Sequence, residues 1–490
     1  MSQILQTRLA LLLLAIIPLF CPAQNLQNNK WYFNTAAVDF NSGSPLAITG
    51  SSMSTSEGSA SVADKNTGSL LFYTNGITIW NRFNNPMPNG TGLLGGSPAL
   101  TSSTTAAIIM PRPGNPNQYY VFTVDEQAGS NGLRMNLVDM TLNGGLGDIV
   151  TGQKNILISN NNISEKLAYA PNATLTGYWL IARETIGNQY LAWEVNTTGI
   201  SAAPVTSTAG TPASNGAGYL KFNLDYNKLA NAFVFGTVDV MNFNRSTGTI
   251  TSNLSLPVPI GSSVYGVEFS PSGQYLYVSN LLNGIFQFDL NATNVAASQL
   301  TVASAFGAAL QLGPDCKIYI ADGGLSEISN PDLPVPLCGY AANTVGLAGG
   351  GSSYGLPMKV IYLDVFTPEI TASTNTPCTG NSVQFNLTGL NITQIIRWNF
   401  GDPSAGNLNV INATPNTPVS FTYNQPGQYI VQAIYNFDCI TDTVFDTINV
   451  ANCNPIPGNC IGFTYTGATQ QWTVPAGEDT RRIRMRGAAG

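Results

Sequence analysis

Two pairs of charged residues follow predicted strands and contain the side chains best suited to acid–base or cation chemistry. They are Asp125 with Glu126, and Glu184 next to Arg183. If the two strands have matching registers, these carboxylates face the same end of the fold. Converging carboxylates there would bind a cation such as Ca²⁺, or act as an acid and a base. The alternative is that they are solvated loop carboxylates.

Aromatic residues at strand ends form a second group of candidates. Trp80 and Arg82, with Glu57 and Asp64 nearby, would suit a glycan-stacking patch. The alternative is packing for Trp80 and a structural ion pair for Arg82. The same choice between sugar stacking and core packing applies to four further residues, with packing the default: Trp193, Tyr219, Tyr265 and Tyr354.

Other acidic residues suggest turns rather than metal ligands. Asp315 and Asp322 flank a strand at Lys317–Ala321, and Asp402 follows an aromatic run. A Ca²⁺ loop would need several converging oxygens, and no DxDxDG sequence is present. Asp is also a common turn former. We therefore predict no metal site and no cofactor.

The composition excludes several classes of function. The chain has no His, which excludes His-dependent triads and His metal sites and makes an enzyme less expected. Its net charge is −7 with 19 basic residues, so it lacks the basic surface that nucleic acid requires. Only 9% of the residues are charged, and 49 are Gly and 29 Pro, which favours an all-β fold rich in turns.

A hairpin motif organises the first two thirds of the chain. Leu70–Thr74 is an apolar run, Asn75-Gly76 is a tight-turn pair, and Ile77–Trp80 is the returning strand. Similar hairpins recur, with equivalent strands beginning near Leu70, Tyr119, Tyr178, Ala232, Tyr275 and Lys317. A period of roughly 40–60 residues with one hairpin per unit predicts a β-propeller at 24–365.

Closure of this ring involves both of its ends. Six hairpins are visible, and a seventh blade would form if Trp31–Asn41 paired near Tyr354–Val365. Such pairing would remove the open edge of the ring. We therefore favour about seven blades over six or eight.

The first residues resemble an export signal. Arg8 precedes an apolar run from Leu9 to Phe20, and small residues place signal cleavage after Ala23. A lipoprotein anchor at Cys21 is the alternative. No second long apolar run follows, so we expect no transmembrane segment after cleavage and a secreted or cell-surface protein.

Six cysteines remain after cleavage and predict disulfides in an exported protein. They allow fifteen pairings, which the sequence does not distinguish. Proximity along the chain favours three pairs: Cys316–Cys338, Cys378–Cys439 and Cys453–Cys460.

The last third divides into smaller units. A linker at 366–377 precedes a compact all-β unit at 378–451. A second linker at 452–460 leads into the start of a Gly-rich β module at 461–490. That module ends in the middle of its pattern, as a truncated chain would.

The order of several sequence blocks resembles a family of large secreted proteins of gliding-type bacteria. The blocks are WYFNTAAVDFNSGSP, EGSASVADKNTGSLLFYTNGITIWNR, MPNGTGLLGG, YYVFTVDE, LQLGPDCKIYIA and YGLPMKVIYL. The resemblance covers about 30–365, the family's propeller-like region. It also implies type nine secretion through a C-terminal sorting domain that this sequence lacks.

The unit at 378–451 is similar to a PKD domain, an immunoglobulin-like β-sandwich. The resemblance rests on seven residues: Trp398, Phe400, Gly401, Asp402, Tyr423, Gly427 and Tyr429. It implies that Trp398 fills the core between two sheets and that Gly427 makes the turn into the last strands.

These features predict a non-enzymatic secreted or cell-surface binding protein. Propeller loops would bind extracellular polysaccharide, surface glycan or protein, with the PKD-like unit as a spacer. One alternative is a carboxylate-based polysaccharide hydrolase or lyase on the propeller. Another is a structural component of a matrix or of the motility machinery.

Overall fold

The computed structural model describes residues 26–96, 102–160, 162–213, 216–234, 237–256, 263–363, 368–389, 396–414, 417–437 and 439–453. The predicted signal peptide with its cleavage site, Cys460 and the Gly-rich module lie outside these described residues. Within the described ranges, no helix has the length and apolar character needed to span a bilayer.

Seven antiparallel sheets occupy the described part of residues 26–363. The first contains β1 (Lys30–Phe33), β2 (Ala36–Asp39) and β3 (Leu46–Ile48). The second contains β4 (Ala60–Ala63), β5 (Leu70–Thr74), β6 (Thr78–Asn81) and β7 (Pro86–Thr91). The third contains β8 (Ala107–Pro111), β9 (Gln118–Val124), β10 (Leu133–Asp139), β11 (Asp148–Ile149) and β12 (Ile156–Ser159).

Four further sheets follow in chain order. The fourth contains β13 (Ile163–Pro171), β14 (Tyr178–Glu184), β15 (Gly187–Asn196), β16 (Gly199–Ile200) and β17 (Val205–Ala213). The fifth contains β18 (Leu220–Phe222), β19 (Lys228–Ala232), β20 (Val238–Asn244) and β21 (Thr249–Leu256). The sixth contains β22 (Val264–Phe269), β23 (Tyr275–Asn280), β24 (Gly284–Asp289) and β25 (Leu300–Ala303). The seventh contains β26 (Leu310–Leu312), β27 (Ile318–Ala321), β28 (Leu325–Ile328) and β29 (Tyr340–Ala341).

The repeated hairpin forms the second and third strands of a typical sheet. β5 pairs with β6 in antiparallel register. In the turn, the Asn75 side-chain oxygen accepts hydrogen bonds from the amides of Ile77 and Thr78, each at 3.0 Å. Gly76 has φ +83°, which a residue with a Cβ rarely adopts. One predicted strand start is wrong, because β19 ends at Ala232 rather than beginning there.

The seven sheets are arranged in a ring. The first strand of each sheet contacts the first strand of the next, from β1 through β4, β8, β13, β18 and β22 to β26. The last sheet returns to the first, where the rings of Trp31 and Tyr319 lie 5.6 Å apart. The first strand β13 is wholly buried, whereas β25 at an outer edge is largely exposed. This radial arrangement is consistent with a β-propeller.

Residues 354–363, here called the central segment, contact residues from several parts of the ring. At one end, the Tyr354 amide donates to Ser56 O at 2.9 Å. At the other, the Ile361 amide donates to Tyr169 Oη at 2.7 Å, and Tyr178 Oη donates to Ile361 O at 2.9 Å. The hydroxyls of Tyr119 and Tyr362 are 2.8 Å apart. Contacts on so many sides place the segment inside the ring.

The predicted blade shared between the two ends is wrong. β1 pairs with β2, and none of residues 354–363 belongs to a strand. The reason is that side chains satisfy the backbone of the central segment, as in the hydrogen bond from the Val360 amide to Asn28 Oδ1 at 2.7 Å. The first sheet instead forms from residues 30–48 alone.

A two-sheet sandwich follows the ring. One sheet contains β30 (Glu369–Ala372), β31 (Ser382–Thr388) and β34 (Val419–Thr422). The other contains β32 (Ile396–Asn399), β33 (Val410–Ala413), β35 (Gly427–Phe437) and β36 (Ile440–Val450). β30 lies within the residues predicted as a linker, because its apolar Ile370 joins the sandwich core.

Aromatic side chains fill the sandwich. Trp398 is 1% exposed, and Phe400 stacks on Phe421 with centroids 4.3 Å apart. Tyr423 Oη donates to Phe400 O at 3.0 Å, and the Tyr423 and Tyr429 rings lie 4.4 Å apart. Three other residues of the PKD-like pattern shape the backbone. Gly401 has φ +72°, Asp402 accepts from the Ser404 amide at 3.0 Å, and Gly427 begins β35.

The predicted disulfide pairs are wrong. The structure has Cys316–Cys439 and Cys378–Cys453, and Cys338 is a buried free thiol. Cys439 lies at the tip of the β35–β36 hairpin. There its Sγ lies 3.9 Å from Gly313 O, beside the seventh sheet of the ring and away from Cys378. Cys378 instead lies beside Ala451 through an isolated bridge, which brings Cys453 within reach. Sequence proximity failed because strand pairing decides which cysteines meet.

Candidate functional site

Chain segments at or just before the starts of five first strands meet at one end of the ring, and we call them the collar (residues 55–59, 103–106, 163–165, 217–219 and 263–265). Hydrogen bonds join them: Gly58 N to Ser103 O at 3.0 Å, Thr105 N to Glu165 O at 3.0 Å, and Tyr219 N to Tyr265 O at 2.8 Å. The collar therefore brings residues of several sheets around one centre.

Two bulges turn collar side chains out of the regular strand pattern. The register of β13 against β14 shifts between Ile163 and Leu167, and this stretch includes Glu165. The register of β22 against β23 shifts between Val264 and Val267, and this stretch includes Tyr265. Bulges redirect side chains and often lie beside functional sites. Here they hold a carboxyl and a phenol in the collar.

Glu57 and Glu165 form the acidic centre of the collar. Glu165 is 1% exposed, and its Oε2 accepts from the Thr104 amide at 3.0 Å. Glu57 is partly buried, and its Oε2 is buried without a hydrogen-bond partner among the described residues. Burial is the main cause, and the Glu165 carboxylate the second, of a rise in the pKa of Glu57 to about 8. Burial raises the pKa of Glu165 to about 7. Both groups therefore hold protons well above the usual range of a carboxyl.

The turn after β9 adds a third carboxyl. Glu126 is partly buried, and its charge raises the pKa values of both Glu57 and Glu165. Its neighbour Gln127 donates from Nε2 to Glu165 Oε1 at 2.8 Å. Asp125 shapes this turn, because its oxygens accept from the amides of Glu126 and Asn131 at 3.0 and 2.9 Å. Of the predicted acidic pair, Glu126 thus belongs to the site and Asp125 supports it.

Two buried cations lie behind the carboxyls. Lys166 Nζ donates to Asn231 Oδ1 at 2.9 Å and to Ala232 O, and burial lowers the pKa of this amine well below its usual value. Arg183 is 0% exposed and donates to Glu184 O at 2.7 Å. Its guanidinium packs 4.8 Å from the centroid of Phe233. Both cations are thus held by neighbouring groups within the fold.

A ladder of aromatic rings leads from the acidic centre to the surface. The Tyr219 and Tyr265 centroids are 5.6 Å apart, and both residues are buried. Tyr354 lies 5.9 Å from Tyr265, and Phe306 lies 5.9 Å from Tyr354. Tyr354 is 38% exposed and Phe306 41%. Tyr265 also connects the ladder to the acids, because its hydroxyl, which donates to Thr104 Oγ1 at 3.5 Å, lowers the pKa of the Glu57 carboxyl.

Comparisons with known proteins add little at this level of similarity. No protein family and no curated protein matches the sequence. Two crystal structures, each provisionally named as a 6-phosphogluconolactonase, are similar in shape. One is from Bacteroides fragilis, with a TM-score of 0.39, 12% identity, and coverage of 61% of this chain and 90% of that chain. The other is from Bacteroides uniformis, with a TM-score of 0.36, 10% identity, and coverage of 85% and 100%. Neither carries an argument about function.

The predicted Trp80 and Arg82 patch does not form an open stacking surface. Trp80 is 8% exposed and stacks on Tyr73, with centroids 5.3 Å apart. Arg82 Nη1 donates to Gly145 O at 2.8 Å. Glu184, the last residue of β14, is partly buried and pairs with Ile163. Trp80, Arg82 and Arg183 are therefore occupied by packing or backbone contacts.

Other candidates also have structural roles. Trp193 is 2% exposed in a hydrophobic cluster, and Asp64 accepts from the amides of Asn66 and Thr67 at 3.0 and 2.8 Å. Asp315 accepts from Tyr319 Oη at 2.7 Å, and Asp322 accepts from the Gly324 amide at 3.2 Å. Among the described residues, no three His, Cys, Asp or Glu side chains are grouped as metal ligands would be.

Sequence reasoning missed two residues of this site. Glu165 lies in a strand with no turn or motif signal around it, although an acidic residue beside Lys166 in an apolar strand is unusual. Phe306 lies between sheets in a small-residue loop. Each becomes a candidate only in the folded ring, where Glu165 lies near Glu57 and Phe306 lies beside Tyr354.

Proposed function

We propose that the protein is an exported saccharide-binding protein whose ligand occupies the centre of the collar. The observation that carries this proposal is the ladder from exposed Phe306 and Tyr354 to the buried Glu57 and Glu165 carboxyls. Ligand sites combine apolar or aromatic walls with a few convergent polar groups. Sugars suit this pattern, because their C–H faces pack on aromatic rings and their hydroxyls bond to carboxyl and amide groups.

The rest of the chain supports an extracellular setting. Two disulfides form in the described residues, and disulfides persist in oxidising compartments. The N-terminal sequence resembles an export signal, and the block order resembles secreted proteins of gliding-type bacteria. In this proposal, the sandwich is a PKD-like spacer that holds the ring away from the cell surface, and the partner is extracellular polysaccharide or surface glycan.

A second function is favoured by one observation. Glu57 has a pKa near 8, and Glu165 has one near 7, so both carboxyls are poised for proton transfer near neutrality. Carboxyl pairs act as acid and base in glycoside hydrolysis. The same site would then cleave its saccharide. Release of new reducing ends by the full chain, lost in Glu165→Gln, would establish this activity.

The binding proposal is tested with a glycan array probed by the full chain and by Tyr354→Ala. We expect a restricted set of saccharides to bind wild type and to lose most of their signal with Tyr354→Ala. Phe445→Ala, which removes a 59% exposed ring on the sandwich, is the matched control and keeps the signal. Absence of binding by wild type, or equal loss in both variants, would contradict the proposal.

A further inference from the structure

Two buried side chains from neighbouring sheets meet behind the collar, a lysine amine and an asparagine carboxamide. We propose that Lys166 and Asn231 form an intramolecular amide cross-link, in which Lys166 Nζ replaces the side-chain nitrogen of Asn231. The two residues are 65 positions apart in the chain, in β13 and β19. The bond joins the fourth and fifth sheets of the ring covalently. It concerns how the ring is held together and is independent of the proposed saccharide site.

The amine and the carboxamide are already in contact. Lys166 Nζ donates to Asn231 Oδ1 at 2.9 Å and also to Ala232 O. Because a C=O bond is about 1.2 Å long, Asn231 Cγ lies no more than about 4.1 Å from this nitrogen. Reacting atoms in attack geometries are about 3–3.5 Å apart, so a modest rotation brings the amine onto the carbon. Lys166 lies in the bulge of β13 between Ile163 and Leu167, which directs it toward the next sheet.

The surroundings of Lys166 favour a neutral amine. The residue is 0% exposed, and none of the ion pairs between the described residues includes it. Burial is the main cause of a pKa well below the usual value for a lysine, and the Arg183 guanidinium lowers it further. The charges of Glu165 and Asp239 act in the opposite direction without reversing the shift. A neutral amine has the lone pair that attack on a carbonyl carbon requires.

The carboxamide is enclosed together with the amine. Asn231 is 0% exposed and Tyr190 1%, and Asn231 Nδ2 donates to Tyr190 Oη at 2.8 Å. The centroid of the Phe233 ring lies 4.7 Å from Lys166 Nζ. This enclosure excludes water, which would otherwise compete with the amine for the carbonyl carbon. The Tyr190 hydroxyl thus touches the nitrogen that has to leave.

The reaction balances without a further reactant. A bond forms between Lys166 Nζ and Asn231 Cγ, and the bond between Cγ and Nδ2 breaks. The leaving nitrogen takes up one proton from Tyr190 Oη and departs as ammonia, and Tyr190 regains a proton that Nζ gives up. No atom is oxidised or reduced. The product is an uncharged amide, which is less costly to bury than an ammonium group.

A second buried lysine provides a comparison within the same chain. Lys221 Nζ donates to the carboxamide oxygen Gln311 Oε1 at 2.7 Å and to Glu268 Oε2 at 2.8 Å. Burial lowers the pKa of Lys221, but the Glu268 carboxylate opposes this effect and favours the ammonium form. An ammonium group has no free lone pair. Lys221 should therefore remain unlinked, although it also contacts a carboxamide.

The test is tryptic mapping of the reduced and denatured full chain by mass spectrometry. We expect residues 155–183 and 229–245 in one branched peptide, lighter than the two separate peptides by one ammonia and uncleaved after Lys166. Trypsin should still cleave after Lys221. Cleavage after Lys166, with Asn231 recovered in a separate peptide 229–245, would overturn the inference.

A variant gives a second readout. Lys166→Arg keeps hydrogen-bond donors but cannot form the amide. Its reduced and denatured chain should migrate more slowly on a denaturing gel than wild type, in which the loop between Lys166 and Asn231 stays closed. Lys228→Arg, in the same strand as Asn231, is the control and should migrate as wild type does. Because the chains are unfolded, the readout does not depend on whether the variant folds. Equal migration of wild type and Lys166→Arg would contradict the cross-link.

Discussion

The rings of Tyr265 and Tyr354 lie 5.9 Å apart, with Tyr265 buried and Tyr354 38% exposed. The two residues are far apart in sequence, and the central segment brings them together. Through this contact, a surface ring is connected to the carboxyls at the centre of the collar. The proposed saccharide site depends on this connection.

Removal of the exposed ring next to Tyr354 should weaken ligand binding. Phe306→Ala should lower saccharide affinity by about 1 kcal/mol or more, because a stacked ring contributes about that much beyond buried area. The measurement is titration with the strongest array ligand. Phe445→Ala, which removes an exposed ring on the sandwich, should bind as wild type does. Unchanged affinity in Phe306→Ala would exclude this ring from the site.

Gly355 should be essential to the position of Glu57. A Cβ on Gly355 would lie 1.9 Å from Glu57 O and 2.4 Å from Glu57 C. Gly355→Ala must therefore displace the backbone of Glu57, with a loss on the order of 1–3 kcal/mol in stability and a larger loss of binding. Gly346→Ala is the matched control, because nothing lies within 4 Å of its added Cβ. Denaturant unfolding and ligand titration measure the stability and the affinity of both variants. Equal stability and equal affinity in Gly355→Ala and Gly346→Ala would refute the close contact.

Stability should fall with rising pH because of the buried acids. Glu57 has a folded-state pKa near 8 against an ordinary 4.5, so its contribution is complete below about pH 4.5 and disappears as the pH rises through 8. The loss should be on the order of 5 kcal/mol, because each pKa unit corresponds to about 1.4 kcal/mol. Glu57→Gln, which cannot ionise, should flatten this slope and be more stable than wild type at high pH.

Denaturant unfolding at a series of pH values measures that slope. Glu369→Gln, an exposed carboxyl, should keep the wild-type profile. A wild-type slope that survives in Glu57→Gln would show that Glu57 ionises normally in the folded protein.

Peptide mapping under non-reducing conditions should recover Cys316 linked to Cys439 and Cys378 linked to Cys453. Cys338 should react with an alkylating reagent only after unfolding, because it is 1% exposed. Recovery of a Cys316–Cys338 peptide would contradict this arrangement.

The disulfide between Cys316 and Cys439 joins the ring to the sandwich, so Cys439→Ser should increase proteolysis between these two parts of the chain. Cys338→Ser should leave the proteolysis pattern unchanged.

Local sequence patterns predicted the elements of the fold well. The hairpin from Leu70 to Trp80 forms as expected, because turn residues and alternating apolar residues act within a few positions of one another. The repeat of such hairpins indicated a ring, and the sheets form one. The path of residues 354–363 was not predictable in this way, since distant tyrosines satisfy its backbone.

The site was only partly predictable for the same reason. Glu57, Glu126, Tyr265 and Tyr354 were candidates by type, but nothing in the sequence joined them. Glu165 was missed because its role depends on a bulge in β13 and on burial against other sheets. The disulfides were mispaired because β35 and β36 carry Cys439 far from its sequence neighbours. These contacts arise from tertiary structure, which local periodicity does not encode.

The most direct test is a crystal structure of the full chain with the saccharide that binds most tightly on the array. We expect a sugar ring packed against Tyr354 and Phe306, with a ligand polar group hydrogen-bonded to Glu57. A saccharide bound elsewhere, such as on the sandwich or the outer strands of the ring, with the collar unchanged, would contradict the proposed binding site.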